Sequence, residues 1–277
     1  MIKRKRVLVC GAAGSIGSEL VRQLSEHNKV YCLDTEETGV FDLAEELQLK
    51  KRWVYGRVGD ITDKETVDNV FSDFRPQVVI NAAARKHVKP MEETPMEAVR
   101  VNIVGNHNLI EAAKKYRVEK YVFISTDKAV SSNSIMGATK RCSEIITKNQ
   151  GKGFVVVRFG NVMGSRGSVI PFWQNQIDRG DALTVTDPKM ERYMMTIQQA
   201  CSLVIQAAEM GVGGEIIILE MGKKVNILSL AKSIIADAGR GEIKIIGIRP
   251  GETLTEELMT EEEKKRSIKK GNFYVIS

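Results

Sequence analysis

No apolar run in the 277-residue chain approaches the ~20 residues needed to span a bilayer. The basic opening MIKRKR leads directly into a short apolar run, without a signal-peptide core or cleavage site. Cys10, Cys32, Cys142 and Cys201 have no paired spacing, so they read as small buried hydrophobes and not as disulfide partners or metal ligands. Aromatic residues make up 6% of the chain and do not interleave with the basic groups Lys3 to Arg6, Lys50 to Arg52 and Lys264 to Lys270. That argues against a nucleic-acid groove, while the mild net charge of +6 is ample for a phosphate-bearing small ligand. There is no repeat and no long linker. These absences leave a cytoplasmic globular protein in a reducing setting, without metal, large enough for one α/β domain or a domain and a small lobe. The run Glu261 to Lys270 reads as a solvated helical face or tail.

What is present is an alternation of short apolar runs and amphipathic stretches. Arg6 to Cys10 reads as a strand and GAAGSIG follows, opening a helix over Ser15 to His27 with Leu20, Val21 and Leu24 on its apolar face. Gly11, Gly14 and Gly17 permit a tight turn, close approach of backbone N–H groups to a pyrophosphate, and close helix–sheet packing. The helix N-terminus adds a partial positive charge. The next strand, Val30 to Leu33, ends in Asp34, where a carboxylate can hold a ribose 2′-hydroxyl. Glu36 and Glu37 follow with no arginine beside them, which favours NAD over NADP. After a helical pattern (Val40 to Leu49) and a strand (Trp53 to Val58), Asp60 and Ile61 stand at a strand end. There Asp60 either meets an adenine or caps the helix from Asp63 onward.

A fourth strand, Gln77 to Ile80, delivers Asn81 and then Ala82, Ala83 and Ala84, small enough for backbone to lie flat against a cofactor. Of the following Arg85, Lys86 and His87, the cations suit a substrate phosphate and the histidine reads as structural. Thr94-Pro95-Met96-Glu97 has the form of a capping box opening a long helix to Tyr116, interrupted by Asn102. The strand Tyr121 to Ile124 then reaches STDKAVSSNSIMGATK, in which Thr126, Asp127 and Lys128 set a hydroxyl, a carboxyl and an amine side by side. Met136 and Lys140 follow on one helix face. Adjacent acid and base opposite a cofactor are what a dehydration needs, and a solvated turn is the plain alternative. With a sixth strand at Phe154 to Phe159, the order predicts a doubly wound parallel sheet over residues 1–160. Residues 161–277 then form a smaller substrate lobe interleaved with the last sheet elements. They comprise a glycine-rich loop (Asn161 to Ser168), an amphipathic segment (Val169 to Ile177), strands at 183–185, 215–219 and 243–247, and helices at 197–210 and 228–238.

The segments GAAGSIGSEL, INAAARKHVKPMEE, ISTDKAV, MGATKR, RFGNVMGS, RYMMTI, GGEIIILEMG and RPGE…EEL stand in one order from end to end. In that order they resemble the extended short-chain dehydrogenase/reductases, a Rossmann-fold family, and within it the nucleotide-sugar 4,6-dehydratases of polysaccharide biosynthesis. The resemblance implies NAD and UDP-N-acetylglucosamine. It implies cofactor contacts from Gly11, Gly14, Ser15, Ile16, Gly17, Asp34, Asp60, Ile61, Ala82, Ala83, Ala84, Asn102 and Lys140. It further implies oxidation of the sugar at carbon 4, removal of the carbon 5 proton by Lys128, protonation of the leaving carbon 6 hydroxyl by Asp127, and hydride return to carbon 6. Thr126 would bond the 4-hydroxyl. The acid must be protonated and the lysine neutral when they act, so burial and mutual contact must tune both.

Most of the superfamily has tyrosine four residues before the lysine, where this chain has Met136, which cannot accept a proton. A subset of the dehydratases resembles it in this. The proton of the 4-hydroxyl then goes to Asp127, Thr126 or a water, of which Asp127 reached through Thr126 is the favoured route. For the substrate, the resemblance implies Lys86, Asn161 and the Ser168–Pro171 turn (Val169 and Pro171), with Arg192, Arg249 and Glu252 on diphosphate and ribose. Relatives form dimers or larger assemblies, implying a homo-oligomer. Relatives with this methionine often carry an N-terminal membrane region, so the chain is a free-standing form or a catalytic domain of a longer one. The competing readings are a UDP-sugar 4-epimerase, which has no use for the Asp127–Lys128 pair, and a non-catalytic NAD-binding regulator.

Overall fold

The computed structural model describes residues 2–277. The first half alternates β1 (Arg6–Cys10), α1 (Ser15–Leu24), β2 (Lys29–Asp34), α2 (Glu37–Leu49), β3 (Val54–Val58), α3 (Lys64–Phe74) and β4 (Val78–Asn81). Then come α4 (Val88–Glu93), α5 (Pro95–Ala98), a π-helical stretch Val99–Gly105, α6 (Asn106–Lys115), β5 (Lys120–Thr126), α7 (Lys128–Ser131), α8 (Ile135–Lys148) and β6 (Phe154–Phe159). The apolar runs are strands because helices cover both of their faces: Val7 to Cys10, Val78 to Asn81 and all of β6 are buried. Leu20, Val21 and Leu24 fill the buried stripe of α1.

Beyond residue 160 follow β7 (Asn161–Val162), α9 (Val169–Arg179), β8 (Leu183–Val185), β9 (Glu191–Arg192), β10 (Met194–Met195), α10 (Ile197–Met210) and β11 (Ile216–Leu219). The chain ends with β12 (Val225–Asn226), α11 (Ile227–Ala238), β13 (Ile243–Ile245), α12 (Glu261–Arg266), β14 (Ile268–Lys270) and β15 (Phe273–Ile276). One nine-stranded sheet runs β14-β15-β11-β6-β5-β4-β1-β2-β3. It is parallel from β3 to β11, and β15 and β14 add antiparallel. Strand order reverses between β1 and β4, the point at which doubly wound sheets open a crevice at their C-terminal ends. A second, smaller core gathers Trp173, Ile177, Leu183, Val185, Met190, Ile227 and Ala231 under the lobe. Strands β8 and β13 pair parallel beside it. Among the described residues no helix is long and apolar enough to cross a membrane.

Two local expectations fail. Thr94 makes no side-chain cap. The helix α4 runs up to it, so its hydroxyl donates instead to Pro90 O at 2.8 Å, and Glu97 is drawn off to Arg85 and Arg100. The expected long helix to Tyr116 is continuous but passes through the π-helical stretch and ends at Lys115. The run 261–270 is mostly solvated as expected, with one buried exception and a strand at its end. Thr260 and Glu263 close a true capping box on α12, Glu263 is buried against Arg158 of β6, and residues 268–270 are the edge strand β14.

Candidate functional site

At the sheet's reversal a groove is lined by Gly11, Gly14, Asp34, Asp60, Ile61 and Ala82 to Ala84. Gly11 turns at φ +76°, and a Cβ there would stand 2.5 Å from Ala83 N, so only glycine lets β1 and the β4 loop close up. Gly14 precedes α1 without a side-chain cap, leaving first-turn N–H groups to a ligand, and Ser15, Ile16 and Gly17 form that turn. Asp34 accepts from Ala13 N at 2.9 Å and Glu36 N at 3.1 Å, fixing the carboxylate at the end of β2. Asp60 does not cap α3, since Asp63 does so through Glu65 N. Asp60 instead accepts from Thr62 N at 2.8 Å and pairs with Arg100 at 3.2 Å. Burial would raise the Asp60 carboxyl, yet the Thr62 and Arg100 contacts carry it below the usual range.

Two residues expected at the cofactor are buried and bonded within the chain. Asn102 is buried and bonds Arg85 N at 2.8 Å, Arg85 O at 3.2 Å and Thr139 Oγ1 at 3.0 Å, bracing the loop that lines the groove. Lys140 is buried, donates to Ile124 O and lies 4.0 Å from the Phe123 ring centroid. Burial draws its amine down to about 7, against the pull of Glu144. Met136 is likewise buried, packed with Met91 and Ala98 as core.

The end of β5 carries the buried carboxyl and the amine. Thr126 Oγ1 donates to Asp127 Oδ1 at 2.9 Å. The Lys128 ammonium reaches three acceptors, Asp127 Oδ1 at 3.2 Å, Asn161 Oδ1 at 3.3 Å and Glu256 Oε2 at 2.8 Å. Asp127 is fully buried, and its second oxygen Oδ2 has no partner among the described residues. Gly160 provides the room for that oxygen, since a Cβ there would fall 2.9 Å from it. Burial pushes Lys128 down, but Asp127 and Glu256 outweigh it and hold the ammonium above the ordinary lysine range. Burial likewise pushes Asp127 up, and Lys128 overrides it, holding the carboxyl low. The resting pair is therefore an ion pair, because each charge stabilises the other, and both groups must change state before they act as acid and base. Glu256 goes the other way: burial raises it and Asp127 adds to that, against Lys128 and Arg192.

Lys128 opens onto a cleft of about 690 Å³ between sheet and lobe, within the roughly 300–1,000 Å³ of small-molecule sites. Of the expected substrate residues, Asn161, Val169, Arg192, Arg249 and Glu252 line it. Val169 and Pro171 form the first turn of α9 and not a loop turn; proline is accommodated because first-turn N–H groups have no helical partner. Pro171 is not among the lining residues, nor is Lys86, whose ammonium bonds Arg166 O at 2.7 Å. Arg192 is already committed, donating to Glu191 O, Leu254 O and Thr253 O and lying 3.4 Å from Glu256. It braces the 249–256 loop. Arg249 is exposed at the cleft edge, and its N–H donates to Glu252 at 3.2 Å.

Sequence reading did not single out Arg166, and it included Glu256 only within the RPGE…EEL motif, without a role. Arg166 lines the groove, donates through Nη2 to Ala13 O, and its N–H bonds Ser15 Oγ at 2.9 Å. The lobe loop thus crosses the mouth of the glycine turn.

This arrangement is that of a Rossmann-fold, nucleotide-binding type of protein with a polar pair at the crevice. The chain belongs to the polysaccharide biosynthesis protein family, whose model matches residues 7–277. It is 45% identical over 280 residues to the capsular polysaccharide biosynthesis protein CapD of Staphylococcus aureus, covering 95% of this chain and 46% of that protein. The chain thus spans about half the length of such relatives. An inverting UDP-N-acetylglucosamine 4,6-dehydratase of Campylobacter jejuni is 34% identical over 100% of this chain and 84% of its own. Among solved structures, Pen from Bacillus thuringiensis superposes with a TM-score of 0.94 at 37% identity, covering 99% of this chain and 88% of that one. UDP-glucose 4-epimerase of Thermus thermophilus, in complex with NAD, gives 0.80 at 27% identity, covering 92% and 90%.

Proposed function

We propose that this chain is an NAD-dependent nucleotide-sugar 4,6-dehydratase that converts UDP-N-acetylglucosamine to a UDP-4-keto-6-deoxy sugar. The observation that carries this reading is the Asp127–Lys128 pair, 3.2 Å apart at the end of β5, opening onto the cleft beside the glycine-turn groove. A 4-epimerase has no proton to move at carbons 5 and 6, so it has no use for such a pair. The open N-terminus of α1, the Gly11 turn and Asp34 fit a dinucleotide. When bound, NAD supplies the hydride acceptor for carbon 4 and the hydride donor for carbon 6.

The chain's own residues handle the protons. Thr126 bonds the 4-hydroxyl and passes its proton to Asp127, to which it already donates at 2.9 Å. The buried Asp127 returns a proton along the same hydroxyl to the leaving oxygen on carbon 6. One hydroxyl can serve both because the oxygens on carbons 4 and 6 are 1,3-related. Lys128, once neutral, takes the proton from carbon 5 as the carbon 6–oxygen bond breaks and water leaves, then returns a proton to carbon 5 as hydride arrives at carbon 6. Protons balance over the cycle. The C. jejuni dehydratase, alike over the whole of this chain, supports the reading. The test is incubation with UDP-N-acetylglucosamine and NAD in heavy water, read by NMR and mass spectrometry. A product lighter by one water and deuterated at carbon 5 is expected, and an intact 4-epimer would overturn the reading in favour of epimerisation.

A further inference from the structure

Asp127 cannot both receive the proton of the 4-hydroxyl and relieve Lys128 of its own. With Met136 in the core, the site needs a second acceptor that touches the lysine. Among the described residues, three acceptors reach Lys128 Nζ: Asp127, the Asn161 amide oxygen, which cannot take up a proton at neutral pH, and Glu256. Glu256 is the nearest at 2.8 Å and is only 6% exposed. Its other oxygen faces Arg192 Nε at 3.4 Å, and Arg192 is held by the carbonyls of residues 191, 253 and 254.

We propose that Glu256 is the positioning residue that makes Lys128 a base, by taking the ammonium's proton before the elimination and returning it afterwards. This rests on the dehydratase reading. The sequence of states balances. The pair starts as carboxylate Asp127, ammonium Lys128 and carboxylate Glu256. Oxidation at carbon 4 loads Asp127 through Thr126, and with Asp127 neutralised, one N–H proton of Lys128 crosses to Glu256. The elimination consumes the Asp127 proton as water forms and reloads Lys128 from carbon 5. Lys128 then reprotonates carbon 5 and recovers its proton from Glu256. The groups facing Glu256 are Lys128 of α7, Asp127 at the end of β5 and Arg192 of β9. Burial favours its neutral form, as an acceptor in this cycle requires, and neutralising Asp127 removes the charge that held the proton on Lys128.

The test compares Glu256→Gln and Glu256→Asp with the wild type, in the holoenzyme with UDP-N-acetylglucosamine. Glutamine keeps the shape and the oxygen facing Lys128 but cannot hold the proton. The expected result is a fall in kcat of about a hundredfold or more for Glu256→Gln, with KM within threefold. The rate of that variant should rise tenfold per pH unit where the wild type is level, because the lysine can lose its proton only to solvent. Glu256→Asp should recover at least tenfold over Glu256→Gln. Wild-type turnover in Glu256→Gln, or a loss carried by KM with an unchanged pH profile, overturns the role while leaving the dehydratase reading intact. A wild type that yields only the 4-epimer overturns both.

Discussion

Lys128 Nζ and Glu256 Oε2 lie 2.8 Å apart although 128 residues separate them in the chain. The contact joins the end of β5 to the loop before α12, so the base of the site is assembled from sheet and lobe together. Replacing Lys128 with methionine removes the ammonium between two carboxylates. Dehydration should fall by roughly 10²–10⁴, while a substrate-dependent change in nicotinamide absorbance persists, because Thr126 and Asp127 remain. Loss of that change along with dehydration would show that Lys128 also serves the oxidation.

Gly160 is where the site tolerates no side chain. A Cβ would stand 2.9 Å from Asp127 Oδ2 and 3.0 Å from Tyr193 Cβ. Gly160→Ala should therefore displace the carboxyl and lower kcat about a hundredfold with the fold retained. Stopped-assay kinetics beside a circular dichroism melt check this, and wild-type kcat would refute the crowding.

Lys140 gives a pH signature. Its folded value is drawn to about 7 by burial, against about 10.4 in an unfolded chain. Below pH 7 the lysine is charged in both states, and the full cost of burying that charge is present. Between 7 and about 10.4 the unfolded state binds the extra proton, so stability attributable to Lys140 rises with pH. The melting temperature of the wild type minus that of Lys140→Met should be flat below pH 7 and climb above it. A flat difference throughout would mean the amine stays charged.

The second buried charge cluster lies behind the sheet. Arg158 reaches Glu144 and Glu263, each at 2.7 Å. Burial would raise Glu263, but Arg158 holds it at about 2. Its contribution is present above the unfolded value of about 4.3 and is lost as pH falls toward 2. Glu263→Ala should cost about 3–5 kcal/mol, because it removes one of the two carboxylates that compensate the buried guanidinium. Urea unfolding at neutral pH measures it.

Met136→Tyr tests the reading of that residue as core. Enlarging a side chain packed against Met91 and Ala98 should destabilise by about 1–3 kcal/mol and restore no proton acceptor to the cleft. A faster enzyme would show that the ring turns outward.

The sheet was legible because each of its first strands announces itself locally: Val7 to Cys10 is uniformly apolar and ends at Gly11, and Asp34 and Asp127 mark strand ends. Thr94 and Glu97 show the limit of local rules, since they have the spacing of a capping box but the neighbouring helix and two arginines take the groups instead. Glu263 read as one acid in a charged run, and only its burial against Arg158 distinguishes it from Glu261 and Glu262. Lys86 and Arg192 read in the sequence as cations for a substrate phosphate, and no sequence pattern reveals that backbone carbonyls hold both of them.

The pairing of Arg158 with Glu263 also sets a clock. The two are 105 residues apart, which at ~5–20 residues per second is roughly 5–20 s of synthesis. During that interval a growing chain holds β6 with one of its two carboxylate partners, Glu144, and without the hairpin β14–β15 that covers β11. Protease susceptibility of ribosome-stalled chains should drop only once residue 263 has emerged. Strand β6, though made well before α12, therefore gains its second carboxylate partner only when that helix arrives.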